Sequence, residues 1–129
     1  MIRRWRFYTT STGRNPVRDF LTDAHLPVGD RDGILAAMKD VQVNGLEVAR
    51  HLRGDIYEVR ADGRHSTYRV LFATEGRRAQ VLLGLSGFSK KTQKTPMVEI
   101  VLAERRLRDW RSRARQTSKL SRRDNPNMR

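Results

Sequence analysis

LRGDIYEVRADGRHSTYRVLF, residues 52–72, is the stretch that decides how the chain folds. Ile56-Tyr57-Glu58-Val59-Arg60 predicts a short strand, because β-branched and aromatic residues suit a pleated, half-buried surface. Ala61-Asp62-Gly63-Arg64 predicts a turn, with Asp-Gly as a strong hairpin signal. Ser66 to Ala73, STYRVLFA, is the return strand. Side chains alternate along a strand, so Tyr68, Val70 and Phe72 share one face and Arg69 shares the other with Leu71. Glu58 and Arg60 likewise point away from Tyr57 and Val59. A charged residue between Tyr68 and Val70 is out of place in a core, so Arg69 is expected in a groove or on the solvent face.

Moving outward, Glu75-Gly76-Arg77 turns the chain again. Ala79 to Leu85, AQVLLGL, is almost wholly apolar and predicts a central strand buried on both faces. GFSKKTQKTP, residues 87–96, follows as a loop carrying Lys90, Lys91 and Lys94. If the three strands form a meander, this loop lies beside the hairpin. Arg60, Arg64, Arg69, Lys90, Lys91 and Lys94 then gather toward one edge of the sheet. Thr95-Pro96 opens a helix with Thr95 as cap, and Ile100, Ala103, Leu107 and Trp110 form its apolar stripe.

Before residue 52, IRRWRFY (2–8) alternates as a strand should, with Trp5 and Phe7 on one face and Tyr8 on the other. Asn15-Pro16 starts a helix that should end near Leu26-Pro27. Asp30 is expected to cap a second helix bearing Ile34, Leu35, Met38 and Val41, with Gly45 as its stop. The pair 16–44 reads as an N-terminal helical hairpin. The order is β-αα-βββ-α, a small antiparallel sheet with helices against one side and a C-terminal helix, in the α+β class. One domain is expected over 1–114, with a basic, disordered tail over 115–129.

The chain has 129 residues, 37% of them apolar, and a formal net charge of +13, enough to draw polyanions such as RNA. It has no cysteine, which removes disulfides and a thiol nucleophile. Neither a signal peptide nor a membrane span is apparent, so a soluble, cytoplasmic protein is expected. There is no phosphate-binding loop, no GxGxxG, no HExxH and no pair of acidic residues spaced for a two-metal site. No cofactor or metal is expected.

Clustered arginine and lysine bind phosphate oxygens and stabilise the charge that builds up in phosphoryl transfer. RNA carries its own nucleophile, the 2′-OH, so cutting it requires a base, cations and an acid but no protein nucleophile. Glu58, Tyr57 and Tyr68 are candidate proton carriers, and His65 at the hairpin is a further one.

These residues resemble a known family. LRGDIYEVRADGRHSTYRVLF, LLGLSGFSKKTQKTP (82–96), EIVLAERRLRDW (99–110) and NPVRDFL (15–21) resemble the phage-derived, HigB-like branch of the RelE/ParE toxin superfamily over about residues 1–112. The resemblance implies a RelE-like fold and the toxin of a type II toxin–antitoxin system. It further implies a ribosome-dependent, metal-independent mRNA endonuclease acting through 2′-OH attack, that is, an mRNA interferase. It implies as partners the ribosome, mRNA and a cognate antitoxin of helix-turn-helix type encoded nearby.

By segment, the resemblance maps the family's catalytic basic residues onto Arg60, Arg69 and the stretch Ser89–Lys91, so catalysis is expected at Arg60, Arg69 and Lys91. The residues themselves add Tyr57, Arg64, Lys90 and Lys94 as expected substrate-binding residues and Glu58 or His65 for proton transfer. Two departures stand out. Glu58 occupies a position where RelE has a lysine, and the C-terminal helix offers Trp110 but no tyrosine. The same superfamily contains ParE-type gyrase inhibitors, so a gyrase-directed toxin or a non-catalytic basic nucleic-acid-binding module are the alternatives.

Overall fold

The computed structural model describes residues 2–90 and 94–123, with side chains to Thr117. Its elements in chain order are β1 (Arg4–Phe7), α1 (Pro16–Leu21), α2 (Val28–Asn44), β2 (Arg50–Arg53), β3 (Ile56–Asp62), β4 (Thr67–Glu75), β5 (Val81–Lys90) and α3 (Met97–Arg123). The fold is α+β. Five strands form one mixed sheet in the order β1-β5-β4-β3-β2.

The expected meander is present: β3 pairs antiparallel with β4, and β4 with β5. The Asp62-Gly63 turn closes with Gly63 N–H on the Ser66 carbonyl at 2.8 Å. Two strand features depart from expectation. Arg50–Arg53 adds an antiparallel edge strand that its polar sequence, RHLR, concealed. β1 runs parallel to β5, so the sheet is mixed rather than antiparallel. β5 is buried on both faces, and an unpaired edge there would leave backbone groups without partners. β1 supplies them over Val81–Gly84.

Helices cover both faces, not one. Val59, Tyr68, Val70, Phe72 and Leu82 pack under α1 and α2 with Val17, Leu21, Ile34, Met38 and Val41. Ile56, Leu71, Ala73, Leu83 and Leu85 pack under α3 with Ile100, Ala103 and Leu107. The alternation of each strand therefore serves two cores. Trp5 ties the first together: its ring meets Phe72 edge-on at 5.1 Å, and its indole N–H donates to the Met38 carbonyl at 2.8 Å.

Residues 16–44 hold two helices, but α1 packs chiefly on β5 and α2 on β3, so the expected helical hairpin is replaced by two separate sheet contacts. Asn15 caps α1 as predicted, its Oδ1 accepting from Arg18 N–H at 3.1 Å. α1 ends at Leu21 rather than near Leu26, because the Asp23 side chain takes the backbone N–H of His25 at 2.7 Å and makes a local turn. α2 starts after Pro27, so Asp30 is a first-turn residue and not the cap. α3 runs to Arg123, past Ala114 where the apolar pattern fades. Among the described residues no helix is long and apolar enough to cross a membrane.

Candidate active site

The site grows out of strand alternation at the hairpin end of the α3-covered face. Arg60 on β3 and Arg69 on β4 are direct cross-strand partners, and Arg69 stands opposite Phe88 on β5. Two residues along, Glu58 stands opposite Leu71 on β4 and Arg50 on β2. The segment entering α3 then brings Thr95 over this row. The Thr95 hydroxyl donates to Glu58 Oε2 and accepts from Arg69 Nη1 at 3.2 Å. Arg60 Nε donates to Glu58 Oε1 as an ion pair. One carboxylate is thus tied to two guanidiniums, to Arg60 directly and to Arg69 through a hydroxyl.

Arg69 is fully buried and Glu58 is 1% exposed, while the Arg60 side chain is 24% exposed. Arg69 therefore lies inside the protein and Arg60 reaches toward the surface. Beside them Arg50, Leu52, Lys94, Thr95 and Ile100 line a groove of about 320 Å³. Placing like charges directly opposite each other on neighbouring strands is unfavourable, and burying one of them costs several kcal/mol more (roughly, after relaxation). Burial and the Arg60 guanidinium push Arg69 below the ordinary arginine value; Glu58 pulls it back up, and Arg50 adds to the push. Such an arrangement attracts a further negative charge. A phosphate oxygen at the surface would be held by the Arg60 guanidinium in a partly desolvated setting, where charge-assisted bonds are strong.

Residues 24–108 match the family described as Phage derived protein Gp49-like (DUF891). The chain belongs to this Gp49-like family. Two curated relatives bear the name "Probable endoribonuclease HigB1", one each from Mycobacterium tuberculosis strains CDC 1551 / Oshkosh and ATCC 25618 / H37Rv. Each is 31% identical over 109 residues, covering 83% of this chain and 84% of the relative. The resemblance to HigB-like toxins therefore holds over most of the chain.

Within the Gp49-like fold the expected site residues separate into those that meet and those that do not. Arg60, Arg69 and Glu58 meet. Arg69 lies in neither an open groove nor the solvent, but beneath Thr95. Lys94 lines the adjoining groove. Lys90 closes β5 opposite Thr67, inside the strand rather than in a loop. Lys91 lies outside the described residues.

Tyr57 is on the opposite face, its ring 5.9 Å from Phe72 and 4.9 Å from His51, so it is a packing residue of the other core. Arg64 and His65 are exposed in the β3–β4 turn, where Arg64 N–H donates to Asp30 Oδ1 at 3.2 Å. Tyr68 donates to Asp30 Oδ2 at 2.6 Å, also on the far face.

Sequence reasoning overlooked Thr95 and Arg50. Thr95 was expected as a helix cap, and its hydroxyl serves the cluster instead. Arg50 becomes visible only once β2 is known to pair with β3.

Proposed function

We propose that this chain is the toxin of a type II toxin–antitoxin pair and that it cuts RNA at the Glu58–Arg60–Arg69–Thr95 cluster. The observation that carries the proposal is the buried Arg69 linked through Thr95 to Glu58, with Arg60 reaching toward the surface. Membership of the Gp49-like family and the endoribonuclease name of the M. tuberculosis relatives support the same reading.

In the proposed reaction the scissile phosphate docks on Arg60, with the buried Arg69 beneath it acting through its charge. The phosphate draws Arg60 from Glu58 and frees a carboxylate oxygen to take the proton of the 2′-OH. The 2′-oxygen bonds to phosphorus, the bond from phosphorus to the 5′-oxygen breaks, and the 5′-oxygen leaves with a proton given up by Lys91. Arg69 and Arg60 stabilise the added charge on the phosphoryl oxygens. Lys91 assists the leaving oxygen, and Lys90 and Lys94 hold the flanking backbone. No step requires a metal. The proposed substrate is mRNA on the ribosome, and the proposed neutralising partner is a helix-turn-helix antitoxin.

Primer extension on mRNA from cells briefly expressing this chain, beside Arg69→Ala, tests the proposal. Cuts confined to translated codons and absent in the variant are expected. Arrested growth with intact mRNA would overturn the RNase reading in favour of gyrase or another target.

A further inference from the structure

β2 carries two arginines in different circumstances. Arg53 is ion-paired with Glu104 of α3. Arg50 stands directly across from Glu58 on β3, yet both Glu58 oxygens are already engaged, Oε1 by Arg60 and Oε2 by Thr95. Among the described residues neither Arg50 nor Lys94 makes an ion pair. Both line the same groove of about 320 Å³, with Leu52 and Ile100 as apolar walls. Two cations without carboxylate partners, set against apolar side chains, suit an anion from outside, because charge-assisted bonds strengthen where water is thinned.

The groove opens onto the cluster. Thr95 lines it and also bonds to Glu58 and Arg69. Arg50 lies near enough to work against the charge on Arg69. Arg50 and Glu58 form one cross-strand row, and Arg60 and Arg69 form the next row on the same face. Two residues along a strand span roughly 6.5 Å, a step that an extended single strand can make from one phosphate to the next. The groove is walled by aliphatic side chains and not by the aromatic rings on which bases stack, so it suits the backbone of the strand and not a base.

We propose that Arg50 and Lys94 form a second phosphate subsite, which takes the phosphate next to the scissile one and so sets the register of the RNA strand on Arg60. The proposal rests on the RNA-cutting reading above and adds Arg50, which no step of that reading uses.

The test is an NMR titration of the full chain with a uridine dinucleotide whose first 2′-OH is methylated, so that it cannot be cut, bearing a 5′-phosphate, a 3′-phosphate or neither. The internucleotide phosphate occupies Arg60, and a terminal phosphate reaches Arg50 from one side. One of the two terminal phosphates is expected to tighten binding roughly ten- to a hundredfold, the range for a hydrogen bond between charged groups. Arg50 is an exposed edge-strand residue, so Arg50→Gln should erase that gain with the fold intact. Arg50→Lys should keep part of the gain and Arg53→Gln all of it. No gain in the native chain, a gain that survives Arg50→Gln, or an equal loss in Arg53→Gln would overturn the subsite even in a chain that cuts mRNA. An Arg50-dependent gain in a chain that cuts nothing would sustain the subsite and sink the cleavage reading.

Discussion

Two arginines on the α3-covered side of the sheet, Arg111 of α3 itself and Arg69 of β4, sit in opposite electrostatic situations. At the end of the sheet remote from the β3–β4 hairpin, Arg111 meets two carboxylates. Its Nε and Nη2 donate to Glu75 at 3.0–3.3 Å, and its Nη1 donates to Asp55 at 2.9 Å. These bonds raise its pKa above the ordinary value. At the hairpin end, Arg69 shares Glu58 with Arg60 through Thr95, and burial together with Arg60 pushes its pKa down. Arg111 is held in its charged form by two carboxylates, whereas burial and a neighbouring guanidinium work against the charge on Arg69. Strand β4 carries both Arg69 and Glu75, so one element contributes to a part-exposed ion pair at one end and to the buried Glu58–Arg69–Thr95 cluster at the other. Ion pairing alone does not mark a site; a buried cation whose pKa is pushed down by desolvation and a like charge is the better marker.

The widest effect should come from Arg69→Met. It removes a buried cation while keeping much of the volume. Loss of one preorganised donor to a charged transition state costs roughly 10²–10³-fold in turnover, so RNA cleavage should fall by about that factor. Stability should hold or rise, because Glu58 keeps Arg60 as a partner and an apolar side chain replaces a buried charge. Cleavage assays paired with thermal melts of the same preparation check both halves. A large drop in Tm with little change in cleavage would make Arg69 a structural residue.

Thr95→Val comes next. It cuts the link between Arg69 and Glu58 with little change of shape. Losing a hydrogen bond to charged groups is worth about 1.5–3 kcal/mol, so cleavage should fall roughly ten- to a hundredfold. Thr95→Ser should restore most of it. A serine variant as weak as the valine one would mean that the methyl packing matters and the hydroxyl does not.

The contrast between the two ends was only partly legible in the sequence. The β3–β4 hairpin, the apolar β5 and the α3 stripe are readable because period and turn chemistry agree there. Counting alternate residues placed Glu58 with Arg60 and Arg69 with Leu71, but that the two sets share one face follows only from the β3–β4 register. The parallel β1 was not readable, since four alternating residues do not name their partner strand. Nor was α3's coverage of the second face, because β4 is apolar on both sides and its sequence gives no preference. Thr95 looks like an ordinary cap until the tertiary fold brings Glu58 to it. Arg111 looks like one more surface arginine until Asp55 and Glu75 converge on it from a turn and a strand end.

A polar pair on the other face supplies a control for the comparison. Tyr68 donates to Asp30 at 2.6 Å, and this bond with burial pushes the phenol up to about 12. An unfolded tyrosine titrates near 10 (about). The folded pKa is the higher one, so the contribution is complete below about pH 10 and is lost as pH rises through about 12. Urea unfolding between pH 8 and pH 11.5 should show this alkaline loss in the native chain. Tyr68→Phe should be less stable by about 0.5–1.5 kcal/mol at pH 8. Its deficit should shrink as the pH rises. Tyr8, also pushed up by burial and by Asp109, remains in both chains, so the difference between them isolates Tyr68. A deficit constant across the range would mean that the Asp30 bond is not what the phenylalanine removes.

The smallest effect is expected at Arg111, and it bears most directly on the contrast. Arg111 is 36% exposed and Asp55 is 63% exposed, so solvent screens the pair despite its favourable distances. Exposed ion pairs contribute about 0.2–1 kcal/mol, and Glu75, at 21% exposure, places this one toward the top of that range. Arg111→Met should therefore lower stability by no more than about 1 kcal/mol at low salt, and by less at 1 M salt, where the screening length falls to about 3 Å. RNA cleavage should be unchanged, since Arg111 lies at the far end of β4 from Arg69. If Arg111→Met instead depressed cleavage as deeply as Arg69→Met, charge balance would not be what separates the two ends. The active surface would then have to extend along the whole length of α3.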